Sequence, residues 1–361
     1  MNLADPLTLP HGPTWPNRFA LAPLTNKQSS LDGTLSDDEL RWLVARAEGG
    51  FGLTMTCAAY VARAGNAWPG QLGVSSDDHL PGLTRLADAI RAAGGVSSVQ
   101  LHHGGLRADA AVSGEPLVAP WDDPAKGARA LTTAEVRRAV DDFVAAAVRS
   151  ERAGFDGVQV HGAHGYLAAQ FLDARKNDRT DDYGGDLTGR SRFLREVLRG
   201  IRESTGADFQ TAVRLSPERF GTDLDEAVSL TADVLASGLV DHLDLSLWDV
   251  RKPVHGTAAE RPEDDLLIDR FTGLERHGVR LGVAGKVLSA ADAAWCVERG
   301  ADFVTVGTGA ILHHDFPRRA LADPTWSSLP QPVTRAHLEA ESVGPVFVDY
   351  LATQWDDFVS A

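Results

Sequence analysis

Cysteine is nearly absent from this 361-residue chain: only Cys57 and Cys296 occur, far apart. Two such residues exclude a cysteine-ligated iron–sulfur cluster, an all-cysteine zinc site and a disulfide scaffold. Apolar runs are short, and none approaches the roughly 18 residues that a membrane helix needs. The opening Met-Asn-Leu-Ala-Asp-Pro lacks the basic and apolar regions of a signal peptide, so the expected location is cytoplasmic. Positive charge is in deficit: 35 Lys and Arg against 50 Asp and Glu give −15 with His neutral. That balance disfavours nucleic acid and anionic membrane as partners. Lysine is confined to Lys27, Lys126, Lys176, Lys252 and Lys286. Linker-like segments and solenoid repeats are missing too. The length permits two domains of about 100–200 residues, but an α/β barrel uses about 250 in one.

What the chain has is an alternation of strands and helices. Short Val/Leu-rich runs fall near Arg18–Ala22, Gly52–Cys57, Val96–Leu101, Gly157–Val160, Phe209–Leu215, Asp241–Leu245, Arg280–Val283 and Phe303–Val306. Gly, Pro, His or Ser follows them instead of hairpin turns, which suits parallel strands buried on both faces. Between them lie amphipathic helices, the clearest over Glu135–Ala153, with a capping box at Thr132–Glu135 and Gly154 at its end. Ser36–Glu39 and Ser289–Asp292 are similar starts. Eight βα units without a linker predict a single (β/α)8 TIM barrel over residues 1–322. The leader Leu7–Pro16 is expected to cap its bottom. A C-terminal extension, 323–361, is expected to be helical from Val346 to Phe358 and packed on the barrel. A doubly wound open sheet is the rival, but no Gly-x-Gly-x-x-Gly follows the first strand.

Chemistry in such a barrel collects where the strands end. Those positions hold Pro23-Leu24-Thr25, Cys57-Ala58, Gln100 with His102 and His103, His161 with His164 and Tyr166, Arg214, Ser246 to Asp249, Gly285-Lys286 and Gly307-Thr308. Gly285 and Gly307 each end a strand before a helix start, so together they read as a phosphate site. His161-Gly162-Ala163-His164-Gly165-Tyr166 directly follows a strand. Its imidazoles could ligate a metal or donate hydrogen bonds to a substrate oxygen, and the phenol could deliver a proton. Spacing alone leaves both readings open.

The stretch His161–Leu167, followed by Phe171-Leu172, Asn177, Arg179-Thr180-Asp181 and Tyr183-Gly184-Gly185, resembles the old yellow enzyme family of flavin oxidoreductases. The likeness extends through Arg190, Arg192, Phe193 and Leu194, with Ala22–Thr25, Gln100-Leu101, Val213-Arg214 and Gly300–Val304 in support. It implies a barrel that holds FMN at its mouth and takes hydride from NADPH or NADH. Carried over, Ala22, Pro23, Leu24, Thr25 and Ala58 line the flavin ring, and Gln100 meets its pyrimidine edge. His161 also adjoins the cofactor. Arg214 stabilises the reduced, anionic ring, and Gly285, Lys286, Gly307 and Thr308 hold the phosphate. The implied catalytic residues are His161 and His164, gripping the activating group of an electron-poor alkene, and Tyr166, protonating it; no metal is implied. The implied acceptors are enones, enals, maleimides, nitroalkenes and quinone-like molecules.

Departures from the pattern are informative. Thr308 stands where many members carry a phosphate-binding Arg, Lys27 where some have an aromatic or apolar group, and Trp248-Asp249 is unusual after the sixth strand. The competing enzyme class is a metal-dependent barrel hydrolase or lyase using His102, His103, His161 and His164, with Asp249 as its one carboxylate. A Schiff-base aldolase on Lys286 and a flavin carrier without turnover are weaker. Cys57 and Cys296 are read as buried small residues. His313-His314 is read as a helix start, His102 as packing, His103 as closer to the site, and Trp355 and Phe358 as core or dimer contacts, which leaves room for a homo-oligomer.

Overall fold

The computed structural model describes residues 2–255 and 265–360. Its centre is eight parallel strands: β1 (Phe19–Leu21), β2 (Leu53–Tyr60), β3 (Val96–His102), β4 (Gly157–Gly162), β5 (Gln210–Leu215), β6 (His242–Ser246), β7 (Arg280–Ala284) and β8 (Phe303–Val306). They close in sequence order, with β1 paired to both β2 and β8. All eight expected strands are present. Nearly every strand residue is buried, because helices cover the outside and side chains fill the inside.

The helix Thr133–Arg152 begins in the expected capping box, with the Thr132 hydroxyl accepting from the Glu135 N–H and the Glu135 carboxylate returning to the Thr132 N–H. Gly154 follows in the left-handed conformation, at φ +92°. A pair of two-residue strands, Val118–Ala119 and Arg129–Ala130, was not expected; each is too short to show a period in the sequence.

One end of the barrel is plugged by the leader. Leu7 and Trp15 exchange backbone hydrogen bonds of 2.9 and 3.0 Å. Trp15 is fully buried, edge-on to His242 and Phe303 at 5.0 Å each, and donates its indole N–H to Gln210 Oε1 at 3.2 Å. With Leu9, Leu53, Met55 and Val96 this forms an apolar plug at that end. The C-terminal helix Pro345–Gln354 docks through Phe347, edge-on to Trp42 at 5.0 Å. It stops short of the expected Phe358 because Trp355 is extended, at φ −118° and ψ 112°.

A buried carboxylate ties the segment after β1 to β2. Ser36 caps the helix Asp37–Glu48, but Glu39 does not return to the cap as a capping box would. It turns inward, fully buried, and accepts from Asn26 Nδ2 at 3.2 Å, Cys57 Sγ at 2.8 Å and the Ser29 hydroxyl. Burial raises its pKa, against the lowering effect of the three donors. The neutral acid is therefore favoured in the fold, and its stabilisation is lost as pH rises through the raised pKa. Glu39→Gln keeps every partner, because its amide can donate to Ser29, and should retain the fold while flattening this pH dependence. Glu39→Ala orphans three buried donors and should cost about 3 kcal/mol in denaturant titrations. Equal stability of the two variants would refute this role.

Candidate active site

Strand register sets the floor of the open end. His161, Arg214 and Asp244 are aligned neighbours on β4, β5 and β6. Arg214 Nε lies 3.1 Å from Asp244 Oδ2, both side chains being buried, and Thr305 on β8 donates to Asp244 Oδ1 at 3.1 Å. Burial pushes the Asp244 carboxyl up, against the lowering effect of the Arg214 guanidinium. Asp244 was not expected from the sequence, although an Asp between two Leu in a doubly covered strand was the available signal. Gln159 was missed as well: on β4 it accepts from Gln100 Nε2 at 2.8 Å.

The His-x-x-His-x-Tyr stretch folds over this floor. His161 Nε2 and His164 Nδ1 are 3.3 Å apart, and His164 Nε2 is 2.7 Å from Ser246 Oγ at the end of β6. The Tyr166 ring centre lies 4.9 Å from that of His161 and 4.3 Å from that of His102. Burial drives His161 and His102 far below the ordinary imidazole range; His164 falls to about 3, with Arg214 and Arg107 adding to burial. Burial raises Tyr166. At neutral pH the imidazoles are therefore uncharged and the phenol keeps its proton.

One expectation about the histidines is reversed. His102, not His103, stands beside Tyr166: its Nδ1 meets Gln71 Nε2 at 3.0 Å, and its buried Nε2 has no partner among the described residues. His103 Nδ1 instead accepts the Gly105 N–H at 3.0 Å, a local turn contact. His313 does precede a helix, its carbonyl accepting from the Phe316 N–H at 3.2 Å, and it also lies with His337 and Glu341 in a cluster of ligand-type atoms. Its Nε2 accepts from the Leu329 N–H at 3.1 Å, which leaves the ring proton on Nδ1 and makes Nδ1 a poor metal ligand. Among the described residues, no cluster of three ligand-type side chains includes His161 or His164.

Ala22, Pro23, Leu24, His164, Arg214, Gly285, Lys286, Gly307 and Thr308 line one cavity of about 290 Å³ at this end, with Ser246 and Trp248. Thr25, Ala58, Gln100, His161 and Tyr166 lie outside that lining, with Ala58 opposite Gln100 in the β2–β3 register. A larger cleft of about 710 Å³, near Tyr60, Arg63 and His79, lies away from these groups. Trp355 also lines the smaller cavity, so this tail residue faces the site as well as the core. The expected pair of helix starts is not found. Gly307 precedes the five-residue helix Thr308–Leu312, whereas after Gly285 the chain runs on to a separate helix, Ala290–Glu298, capped by Ser289. Lys286 Nζ is engaged by Asp249 Oδ2 at 3.2 Å.

The chain belongs to the NADH:flavin oxidoreductase / NADH oxidase family, whose profile matches residues 2–324. It is 37% identical over 337 residues to a protein of Bacillus subtilis described as a probable NADH-dependent flavin oxidoreductase, YqiG, covering 90% of this chain and 86% of that one. It is 32% identical to the NADH:acrylate oxidoreductase of Vibrio harveyi, spanning 90% of this chain but 33% of that larger protein. Among solved structures, morphinone reductase in complex with tetrahydroNAD superposes with a TM-score of 0.78 at 27% identity, covering 95% of this chain and 96% of that one. The old yellow enzyme homologue of Zymomonas mobilis gives 0.77 at 27% identity, covering 94% and 96%.

FMN and a nicotinamide dinucleotide are the cofactors of this family. The residues present fit a flavin. Gln100 Oε1 is buried without a partner among the described residues and would be free to accept from a flavin N–H, and Arg214, which lines the cavity, would offer the ring positive charge. Were Gly307 and Lys286 to meet the phosphate, that end would be the weaker half, with Thr308 uncharged and Lys286 engaged by Asp249. Asp249→Asn should therefore tighten FMN about fivefold and Lys286→Gln loosen it by a similar factor, as read by flavin-fluorescence titration at low salt. Unchanged affinity in both would place the phosphate elsewhere.

Proposed function

We propose that the protein is an ene reductase: NADPH or NADH reduces bound FMN, and an electron-poor alkene (enone, enal, maleimide, nitroalkene or quinone-like) is the acceptor. The observation that carries this is the packing of three uncharged groups beside Arg214, with the His161 ring centre 5.0 Å from that of His164 and 4.9 Å from that of Tyr166. When bound, the cofactor supplies hydride transfer from the nicotinamide to the β-carbon of the acceptor.

The chain's own residues polarise and protonate. His161 Nδ1 accepts the Ala163 N–H at 3.3 Å, so its proton sits on Nε2, facing His164. If Ser246 accepts from His164 Nε2, His164 Nδ1 is free to receive the His161 N–H and the pair closes on itself. If the Ser246 hydroxyl donates instead, His164 carries its proton on Nδ1, and two N–H groups converge on one point. A carbonyl or nitro oxygen there satisfies both, which draws electron density from the alkene. Tyr166 then gives its proton to the α-carbon, and Arg107, 4.7 Å from the Tyr166 ring centre, favours the phenolate left behind.

In this reading the purified protein shows a flavin band near about 450 nm that NADPH or NADH bleaches anaerobically and N-ethylmaleimide restores. A colourless protein that takes up no FMN would sink it. Tyr166→Phe should slow alkene reduction by roughly 10²–10⁴ while the flavin still bleaches. Equal loss in both half-reactions would remove Tyr166 as the specific acid. Ser246→Ala should raise KM for the acceptor more than it lowers kcat, by about 1 kcal/mol in binding.

A further inference from the structure

Two cations stand near Tyr166, of which the proposed reaction uses Arg107 only to favour the phenolate and Lys27 not at all. Arg107 ends the turn Gly105–Arg107 after β3, lays its guanidinium over the Tyr166 ring and donates one N–H to the His164 carbonyl. Lys27, after β1, places Nζ 4.7 Å from the ring centre of Tyr350, which the C-terminal helix brings to the same rim. The segment that carries Lys27 is tied to the same wall: the Ser29 N–H donates to the Gly70 carbonyl at 3.1 Å, and Trp68, two residues before Gly70, packs 6.4 Å from the Tyr166 ring.

Neither cation has a carboxylate within 4.0 Å among the described residues, in a chain with 50 acidic residues. The contrast is with Lys252 and Lys286, which are paired to Glu218 and Asp249. A cation stacked on an aromatic face keeps its N–H donors pointing past the ring, available to a guest. The backbone presents Lys27 at a cost, since its φ of +57° is left-handed for a residue with a side chain. Beneath the charges the walls are flat and unsaturated, with Trp68 6.4 Å and His102 4.3 Å from the Tyr166 ring.

We infer that Lys27 and Arg107 form an oxyanion subsite across the two phenols, which binds a carboxylate on the acceptor or a phosphate of the dinucleotide. This deepens the reading above, since it takes Tyr166 as the group beside the reacting carbon. An acceptor whose carboxylate is anchored between the two cations would have its alkene laid against His102 and Tyr166.

Two probes of one chemistry test it: N-ethylmaleimide, neutral, and 3-maleimidopropionate, which carries a carboxylate. The holoenzyme should prefer the carboxylated probe in kcat/KM, and the preference should fall with salt. Lys27→Gln and Arg107→Gln should each cut that ratio about tenfold, with partial rescue by Arg107→Lys. Tryptophan fluorescence should show benzoate binding more tightly than benzamide, and the same variants should erase the difference. If the maleimide ratio stays put but the variants slow bleaching by NADPH more than by NADH, the oxyanion is the dinucleotide's 2′-phosphate. A double variant that keeps the maleimide ratio, the benzoate preference and the NADPH rate would overturn the subsite. Failure of the enzyme reading looks different: no nicotinamide bleaches the flavin, while benzoate titration still reports on the rim.

Discussion

The buried pair of Arg214 and Asp244 is the constraint on which the open end of the barrel depends. A guanidinium on a barrel strand has to be held against desolvation, and Asp244 on the next strand, itself held by Thr305, does this at 3.1 Å. The same register row places His161 one strand away. That proximity keeps the histidines neutral, since burial and the Arg214 charge both oppose their protonation. One ion pair therefore supplies positive charge to the floor and prevents a second positive charge from forming above it.

Neutral imidazoles suit either metal ligation or hydrogen-bond donation, and the partners here favour the second, as the proposed reaction requires. His164 is engaged by Ser246 and His161, and Asp249, the one carboxylate that a metal site would recruit, is held by Lys286. What remains is a pair of N–H groups steered by a hydroxyl that can donate or accept. Such a pair responds to a guest oxygen without a change in net charge, so its action is insensitive to pH across the neutral range.

Most of the fold was legible because burial on both faces forces continuous Val/Leu runs, as at Phe303–Val306, and because Thr132 and Glu135 announce a helix start within four residues. The site was legible where its residues are adjacent in sequence, as from His161 to Tyr166. It was not legible where partners are remote. Asp244 acquires meaning from Arg214 on the neighbouring strand, and the pairing of Lys286 with Asp249, 37 residues earlier, leaves no local trace. His102 and His103 were exchanged for a related reason: strand alternation says that they point in opposite directions, but not which direction faces Tyr166. Tyr350 and Trp355 reach the rim through a helix whose docking depends on Phe347 against Trp42.

The two ends of the candidate flavin site obey different electrostatics. At the ring end, Arg214 is buried with its counter-ion, so mobile salt screens it little. At the phosphate end, Lys286 is largely exposed, with 64% of its side chain accessible, and the usual second cation is replaced by Thr308. A charge in that position contributes mainly at low ionic strength and competes with Asp249 for its own lysine. If the cofactor lies in this cavity, its retention would rest on the ring end and on shape, to which Trp355 contributes from the tail as a lining residue. The C-terminal extension thereby becomes part of the site as well as part of the fold, and fraying of its last helix would loosen the cofactor before it disturbed the barrel.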